Sequence, residues 1–378
     1  MESETSSICP NAVGEESEKS AFDPFSPDYQ TARRRFLNSA NRLGWRVLSY
    51  PLDLKGPAGE TLSLDAAISP GRGSQTLVIS SGLHGVEGFF GSAVELAWME
   101  SSSRNAESPV RQVLLHALNP YGFAYRRRVN EENVDLNRNF LLDGKRYAGC
   151  PADYSRLDEF LNPKSPPTRR DFFTLKALAL IARHGKANLQ QAIAAGQYEY
   201  PKGLFYGGKE PSWLQRLLSQ HLDEWLGGSR DVVHLDLHTG LGPWGECNIL
   251  VDYPLKPHLE NRLQTWFGRG AFEAYASKSV NYQAQGGLGR WLAATQPKRD
   301  YSFAFVEFGT YGAIQILEGL RAENRAHYWD KATPELLGPY QATLVELFCP
   351  ANAKWRQRVI EKSLERLAQA TKGLESAG

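Results

Sequence analysis

The order of apolar and polar positions predicts alternating strands and helices from about residue 23 onwards. Residues Thr76 to Ser80 are apolar or β-branched, which is typical of a strand buried on both faces. Directly after them, apolar residues recur at helical spacing from Val86 to Ala97. Further strands are predicted at 112–118, 231–240, 247–254 and 302–310, and further helices at 27–44, within 141–227 and after 351. This alternation predicts an α/β protein with a mixed, mostly parallel central sheet and helices on both faces.

The 378 residues suffice for one large domain or two ordinary ones. Residues 1–22 are polar and acidic, so we expect a disordered N-terminal tail. They contain no apolar stretch of the kind that a secretory signal needs, which favours a cytoplasmic protein. Because the sequence shows neither a repeat nor a Pro- or Gly-rich linker, we predict a single domain over 23–350. An insertion at about 141–227 and a C-terminal helix over 351–378 complete the predicted organisation.

The charge balance argues against two classes of partner. The formal net charge is +1, from 43 basic and 42 acidic side chains, so we expect no nucleic-acid partner. No run of 18 apolar residues offers a transmembrane helix, and we expect no membrane partner. The four cysteines lie far apart, which disfavours both a cysteine-zinc site and a disulfide scaffold. The sequence leaves the oligomeric state open.

Candidate metal ligands follow two of the predicted strands. His84 and Glu87 come directly after the strand that ends at Ser80, and His238 closes a second strand. Because catalytic groups in open α/β sheets lie at the carboxyl ends of the strands, the three side chains are expected at one edge of the sheet. Two histidines, a carboxylate and an open position for water describe a catalytic zinc site. A surface histidine followed by a glutamate at a helix N-terminus has the same spacing, so this motif alone leaves both interpretations open.

Glu307 is placed within an apolar strand. Its neighbours Phe305, Val306 and Phe308 predict burial, and a buried carboxylate is seldom left without a partner. One interpretation is a structural pair with an arginine. The other is a general base beside a metal, its pKa raised by the apolar surroundings. The strand by itself favours neither.

Segment 124–140 combines three consecutive arginines with an Asp, an Asn and a fourth Arg. Three arginines in a row are typical of a solvated face. Their nearness to Asp135, Asn137 and Arg138 instead indicates a polar pocket. Arginine binds carboxylates through two parallel hydrogen bonds and keeps its proton, so it suits both substrate anchoring and oxyanion stabilisation.

In seven short motifs the chain resembles zinc carboxypeptidases of the carboxypeptidase A superfamily. In sequence order these are HGVE (84–87), NPYGF (119–123), RRVN (127–130), DLNRN (135–139), LHTG (237–240), YQAQGG (282–287) and VEFGT (306–310). The resemblance covers about residues 76–312 and looks closest to a bacterial branch with two further segments, here PDYQTAR (27–33) and GQYEYPKGLFYGG (196–208). More distantly, the zinc ligands and DLNR resemble those of aspartoacylases and succinylglutamate desuccinylases.

The resemblance implies a catalytic role for several residues. One zinc ion per chain would be bound by His84, Glu87 and His238. Asp135 would orient His84 from behind, since such partners tune ligand basicity. Glu307 would be the general base, and Arg128, or less favourably Arg127, would polarise the scissile carbonyl.

The resemblance also implies how substrate binds. Asn137 and Arg138 would hold the free carboxylate, and Tyr282 would close over the substrate. Gly289 and Arg290 occupy positions that shape the side-chain pocket in digestive relatives, where we expect the glycine to remove a wall. Arg290 is then expected to favour an acidic or polar substrate, with an ion pair outside the pocket as the alternative.

The implied reaction is hydrolysis of an amide next to a free carboxylate, in a small peptide or an N-acyl amino acid. One alternative is an N-acyl amino acid amidohydrolase of the aspartoacylase or desuccinylase kind, although YQAQGG favours the carboxypeptidase side. A second alternative is a non-catalytic zinc-binding protein on the same scaffold. The presence of Glu307 and all three ligands disfavours it.

Overall fold

The computed structural model describes residues 22–71, 73–102, 108–273, 284–330 and 333–377. Within these ranges the strands are β1 (Arg46–Lys55), β2 (Thr61–Ile68), β3 (Gln75–Ser81), β4 (Arg111–His116), β5 (Asp231–Trp244), β6 (Cys247–Leu250), β7 (Phe272–Glu273) and β8 (Asp300–Gly309). They form one sheet in the order β1-β2-β4-β3-β5-β8-β6-β7, and four of the seven neighbouring pairs are parallel. The predicted fold class, α/β with a mixed, mostly parallel central sheet, is therefore confirmed.

The helices of the same ranges are α1 (Tyr29–Arg42), α2 (Gly88–Ser102), α3 (Pro120–Ala124), α4 (Ala152–Leu161), α5 (Phe173–His184), α6 (Lys186–Ala194), α7 (Trp213–Leu226), α8 (Pro257–Phe267), α9 (Leu288–Thr295), α10 (Ala313–Trp329), α11 (Pro334–Phe348) and α12 (Ala353–Ala377). The helices predicted at 27–44, after residue 86 and near the C-terminus are confirmed as α1, α2 and α12. The predicted insertion contains α4 to α7. No helix in the described part of the chain has the length and apolar character of a membrane span.

The centre of the sheet is the buried core. Strands β3, β5 and β8 are buried along almost their whole length, as their unbroken apolar runs predict. Helix α2 is buried nearly all round, and α12 contributes an apolar stripe that includes Trp355 and Leu367. The C-terminal helix is thus part of the same core as the sheet.

The register of three parallel strands brings the candidate residues together. Ser81 at the end of β3 pairs with Leu237 of β5, one residue before His238. His238 in turn pairs directly with Glu307 of β8. The carboxyl ends of β3, β5 and β8 therefore meet at one edge, where a ligand site is expected in an open α/β sheet.

The predicted domain division stays a prediction. Residues 1–21 of the expected tail lie outside the described residues, and α12 begins two residues after the predicted boundary at 351.

Candidate metal centre

Three buried side chains converge at this edge of the sheet. One oxygen of Glu87 lies 2.9 Å from Nδ1 of His84, and the other lies 3.0 Å from Nδ1 of His238. One ligand atom from each residue falls within 4.8 Å of the others. Ligands bound about 2.05 Å from a tetrahedral zinc ion lie about 3.3 Å from each other, so the cluster has the size that zinc requires.

A second carboxylate stands behind each histidine. Nε2 of His84 lies 3.2 Å from Oδ1 of Asp135, and Nε2 of His238 lies 2.6 Å from Oδ2 of Asp236. A histidine that donates from Nε2 to a carboxylate presents the lone pair of Nδ1, and this arrangement holds at His238, whose Nδ1 faces Glu87. At His84 the Nε2 atom lies between Asp135 and a guanidinium N–H of Arg128 at 2.7 Å, and Nδ1 again faces Glu87. Because ring orientation and donor set agree, the residues fit a bound zinc ion.

The loop that carries His84 and Glu87 packs closely against the backbone of two other segments, around Gly122 and around Arg127. Gly85 opens a 3-10 turn (Gly85–Glu87), and a Cβ on it would lie 2.1 Å from the carbonyl carbon of Gly122. The amide groups of Gly85 and Val86 donate to the carbonyl groups of Arg128 and Arg127. The motifs HGVE, NPYGF and RRVN therefore form one packed unit, although they are distant in sequence.

The electrostatics of the cluster favour a cation. Burial opposes ionisation of Glu87, but attraction to His84 and His238 lowers its pKa below the usual range. Burial also opposes charge on His238, yet Asp236 and Glu87 on either side raise its pKa well above the ordinary value. Asp135 is similar, since Arg128 and His84 lower its pKa despite burial. Glu87 and Asp135 therefore stay ionised, because positive charge lies next to each of them.

Glu307 lies beside the cluster in a different state. Its Oε1 accepts a 2.9 Å hydrogen bond from the backbone N–H of Leu241, and the residue is 6% exposed. Burial, together with repulsion by Glu87, raises the pKa of Glu307 to about 8. A dication at the neighbouring ligands would lower that pKa by attraction. A carboxylate poised in this way suits a general base.

The two candidate arginines point to different places. Arg128 donates to Glu87 at 3.3 Å and to Asp135 at 3.2 Å, and it lines the cavity beside the ligands. Arg127 is 1% exposed and its Nε donates to Glu323 at 2.6 Å, outside that cavity. The substrate-binding role considered for Arg127 is therefore not supported by its position, because its guanidinium belongs to a buried structural pair.

Asn137 and Arg138 line the same cavity. Asp135 caps their 3-10 turn (Leu136–Arg138) by accepting from the backbone N–H of Asn137. The side chain of Arg138 is held by the carbonyl groups of Ala194 and of Asn137, at 2.8 and 2.7 Å. The predicted carboxylate anchor is therefore next to the metal ligands and rigidly supported.

The segment GQYEYPKGLFYGG wraps around this anchor. The backbone carbonyl group of Tyr206 accepts from the backbone N–H of Asp135 at 2.8 Å, and the hydroxyl of Tyr198 donates to the carbonyl group of Arg138 at 2.8 Å. The ring of Phe205 lies 5.8 Å from the guanidinium carbon of Arg128. The segment thus supports both candidate substrate-binding elements.

The expectations for Tyr282, Gly289 and Arg290 have different outcomes. Tyr282 lies outside the described residues. The expectation that Gly289 removes a wall is wrong, because a Cβ there would meet the ring of Phe303 at 2.5 Å and the carboxylate of Asp252 at 2.9 Å. Arg290 is exposed and lines a neighbouring cavity instead of the one that holds the ligands.

Two site features were not recognised as such in the sequence. One is a chain of hydrogen bonds behind His238, which runs from Asp236 through Ser80 and His234 to Tyr301 with separations of 2.6–2.7 Å. The available signal in the sequence was the period-2 spacing that places His234, Asp236 and His238 on one face of their strand.

The other is Asp252, which lines the cavity just past β6. Within the described ranges no hydrogen-bond partner reaches its buried Oδ1. Burial raises its pKa to about 6, against the attraction of Arg138 and Arg290. In the sequence, the only sign of a role for Asp252 was its position, as an acidic residue near the end of a predicted strand.

The cavity has a volume of about 260 Å³ and is covered by helices. We call α4 to α6, residues 152–194, the cap. Cap side chains that line the cavity are mainly apolar, among them Leu157, Phe160, Leu180, Ile181, Leu189 and Ile193. Ile316, Leu317 and Leu320 of α10 continue this apolar lining. The cavity therefore has a polar wall that carries the candidate ligands and an apolar roof.

Comparison with protein families identifies the group to which the chain belongs. The family model described as "Protein of unknown function (DUF2817)" matches residues 25–362, which is most of the chain. The chain belongs to the DUF2817 family. No curated protein sequence matches this DUF2817 member.

Solved structures show what the fold of this DUF2817 protein is similar to. Bovine thrombin-activatable fibrinolysis inhibitor, solved in complex with tick carboxypeptidase inhibitor, is 13% identical with a TM-score of 0.50 over 94% of this chain and 98% of that one. Carboxypeptidase A from Helicoverpa armigera is 14% identical with a TM-score of 0.47, covering 93% and 74%. A metallo-carboxypeptidase from Burkholderia cenocepacia is 12% identical with a TM-score of 0.43, covering 92% and 69%. The resemblance to zinc carboxypeptidases is therefore confirmed at the level of the fold.

Proposed function

We propose that this protein is a zinc-dependent hydrolase that cleaves an amide bond next to a free carboxylate. The observation that carries the proposal is the arrangement around Glu87, where both histidines direct Nδ1 to one point and Nε2 to a second carboxylate. Glu307, paired with His238 across adjacent strands, adds a base at the same point. A metal-binding role alone would not require a buried acid with a raised pKa beside the ligands.

Each residue then has a chemical task. His84, Glu87 and His238 would hold zinc, which when bound activates water and polarises a carbonyl group. Glu307 takes the proton of the attacking water and gives it to the leaving amine. Arg128 hydrogen-bonds the oxygen on which negative charge develops, and removal of such a donor costs about 2.7–4 kcal/mol of barrier. Arg138 and Asn137 hold the substrate carboxylate in place.

The size of the cavity favours a small substrate. A volume of about 260 Å³ below the cap accommodates a dipeptide or an N-acyl amino acid, and the proposal includes both. Hydrolysis of an N-acyl amino acid at the same site would correspond to the amidohydrolase alternative. Release of an amino acid from a dipeptide, measured against release from an N-acylated amino acid, distinguishes the two. The cytoplasmic location expected from the N-terminal sequence stays a prediction.

The proposal is tested by metal content and activity together. Wild-type protein is expected to hold about one zinc ion and to release amino acids from an amide library. Glu307→Gln is expected to keep the zinc and to lose activity by a factor of about 10² to 10⁴, because the ligands remain and the base is gone. His238→Ala is expected to lose zinc and activity together.

His258→Ala is the matched control, since His258 is exposed and lies beside Asp300, at the opposite end of β8 from Glu307. It is expected to keep both zinc and activity. Zinc-loaded wild type that hydrolyses no member of the library would instead support the non-catalytic alternative.

The acidic side of the pH profile tests the role of Glu307 directly. A base must be ionised, and burial raises the pKa of Glu307 from 4.5 to about 8 while bound zinc lowers it. We therefore expect kcat/KM to rise with pH through a single limb between about 5 and 8. A profile that is flat down to pH 4.5 would contradict Glu307 as the base.

A further inference from the structure

The lining of the cavity has a polar part and an apolar part, and both adjoin the metal ligands. Asp135 connects His84 to the polar part, because it also accepts from the backbone N–H of Asn137. Val86, which lies between His84 and Glu87 in the loop, belongs to an apolar cluster in the other part. A substrate that spans the ligands therefore contacts both environments.

The apolar part is built from elements that meet the catalytic residues. Phe348 packs within 3.0 Å of the position that a Cβ on Gly240 would take, two residues past His238. Ile316 and Leu320 belong to the same cluster as Val86, and Leu317 and Phe205 pack against it. The ring of Phe205 also faces Arg128. This apolar surface therefore begins directly beside the proposed oxyanion position.

The cap extends this surface over the cavity. Leu317 packs both against the Val86 cluster and against a second cluster formed by α4 and α6. Leu180, Leu189 and Ile193 of the cap are only half-buried although they line the cavity, and the polar lining residues of the cap, Lys186 and Gln190, are exposed. Half-buried apolar side chains that line a cleft are typical of a ligand site for apolar groups.

The orientation of the substrate follows from the anchor. With the free carboxylate held by Asn137 and Arg138, the amine side of the scissile bond occupies the polar part. The acyl side must then extend past Arg128 towards Phe205 and Leu317. We propose that the acyl group is apolar, and that the substrate is an N-acyl amino acid with a medium-length hydrocarbon chain. This inference rests on the proposed function and names its substrate class.

The reaction on such a substrate balances with water alone. Water adds across the C–N bond, its oxygen forming the carboxylic acid of the released acyl chain. One proton of the water moves through Glu307 to the nitrogen, which leaves as the amino group of the free amino acid. No oxidant, reductant or further group is required.

A series of acyl chains on the same amino acid tests the proposal. Acetyl, butanoyl, hexanoyl and octanoyl derivatives are compared with wild-type enzyme, each with glycine, glutamate and lysine as the released amino acid. Each buried methylene is expected to raise kcat/KM about three- to fourfold, or on the order of 100-fold from acetyl to hexanoyl. Equal or faster hydrolysis of the acetyl derivative would overturn the apolar acyl site and leave the proposed function intact.

Two variants locate the site. Leu317→Asn and Leu320→Asn place an amide in the apolar lining on α10, so both are expected to flatten the chain-length dependence, measured as the ratio of kcat/KM for the hexanoyl and acetyl derivatives. Leu54→Asn, at an exposed apolar position on β1, is the control and is expected to keep the full dependence. If both cavity variants fold and keep the full dependence, the acyl chain does not bind there.

Binding without turnover separates the two proposals. Zinc-loaded Glu307→Gln is titrated calorimetrically with the hexanoyl and acetyl derivatives of the same amino acid. Tighter binding of the hexanoyl compound, with a negative heat-capacity change, is expected from burial of the chain. Such binding by a protein whose wild type hydrolyses neither compound would refute the proposed function but support the apolar site. Absence of both binding and hydrolysis would refute both.

Discussion

The wall that carries the candidate metal ligands and the cap that covers it hold their side chains by different means. On the wall, His84, Asp135, Asp236 and His238 are buried and joined by hydrogen bonds of 2.6–3.2 Å. In the cap, the apolar side chains that line the cavity are largely half-buried, and Leu175 and Leu178 on the outer face of α5 are exposed.

This difference separates the proposed chemistry from the proposed choice of substrate. A buried polar network tolerates little change, because each lost partner leaves an unsatisfied group at a cost of about 1–3 kcal/mol. Apolar contacts are not directional, so the cap can change its residues while it still covers a cavity. We therefore expect substitutions on the wall to affect stability, metal binding or rate strongly, and substitutions in the cap to affect mainly the preference for one substrate over another.

The largest expected difference concerns stability. Leu235→Ala removes a fully buried side chain from the central strand β5, so we expect a loss of about 2–5 kcal/mol in the free energy of unfolding. Leu180→Ala removes the same atoms from the half-buried cap, and we expect a loss below about 1.5 kcal/mol. Urea denaturation measures both. Equal losses would show that the cap is packed as firmly as the sheet.

A second contrast uses the two adjacent arginines. Arg128→Met is expected to lower kcat by about 10² to 10³ while zinc content is kept, because a donor to the developing charge is lost. Arg127→Met is expected to leave kcat of the folded enzyme unchanged and to cost about 3–5 kcal/mol of stability, because Glu323 is left buried and unpaired.

The double variant Arg127→Met/Glu323→Leu controls for misfolding. Since it removes both charges of the buried pair, it is expected to recover most of the lost stability. If Arg127→Met lowered kcat as much as Arg128→Met did, the assignment of roles to the two arginines would be wrong.

A third prediction concerns the carboxylate behind His238. Asp236→Asn is expected to weaken zinc binding about 10- to 100-fold, because the amide no longer stabilises a hydrogen on Nε2. Asp231→Asn on the same strand is the control, since Asp231 pairs with Arg262 at the far end of β5. Competition with a chelator measures both affinities. The same affinity in both variants would exclude a positioning role for Asp236.

The smallest effect is expected at Asp252. Burial raises its pKa from 3.8 to about 6, so its ionisation costs folding free energy that grows as the pH rises from about 4 to 6 and is complete above that. Asp252→Asn does not carry this cost. We expect the variant to gain about 1–2 kcal/mol relative to wild type at pH 8 and much less at pH 4. A pH-independent difference would show that Asp252 does not titrate in this range.

The order of the strands and their amphipathic helices was predictable because periodicity depends on nearest neighbours along the chain. The strand 76–80 is an example, since an apolar run indicates burial on both faces. The apolar stripe after residue 86 likewise indicated helix α2, although α2 is buried nearly all round and not on one face alone. The position of Glu307 beside His238 was less accessible, because it depends on the register between strands that are about 70 residues apart. The consequences of Gly289 were predicted wrongly, since what fills the space beside a glycine comes from Phe303 and Asp252 elsewhere in the chain.

The fold class and the candidate ligand set were predictable from the chain, because both follow from local patterns and from seven short motifs in a recognisable order. Only the folded protein shows which of the two adjacent arginines lines the cavity and that Asp236 stands behind His238. It also shows that the cap lines the cavity with apolar side chains. These features depend on contacts between segments that are far apart in the chain. The direction of a side chain at such a contact is set by how the two segments pack, which cannot be read from the local sequence.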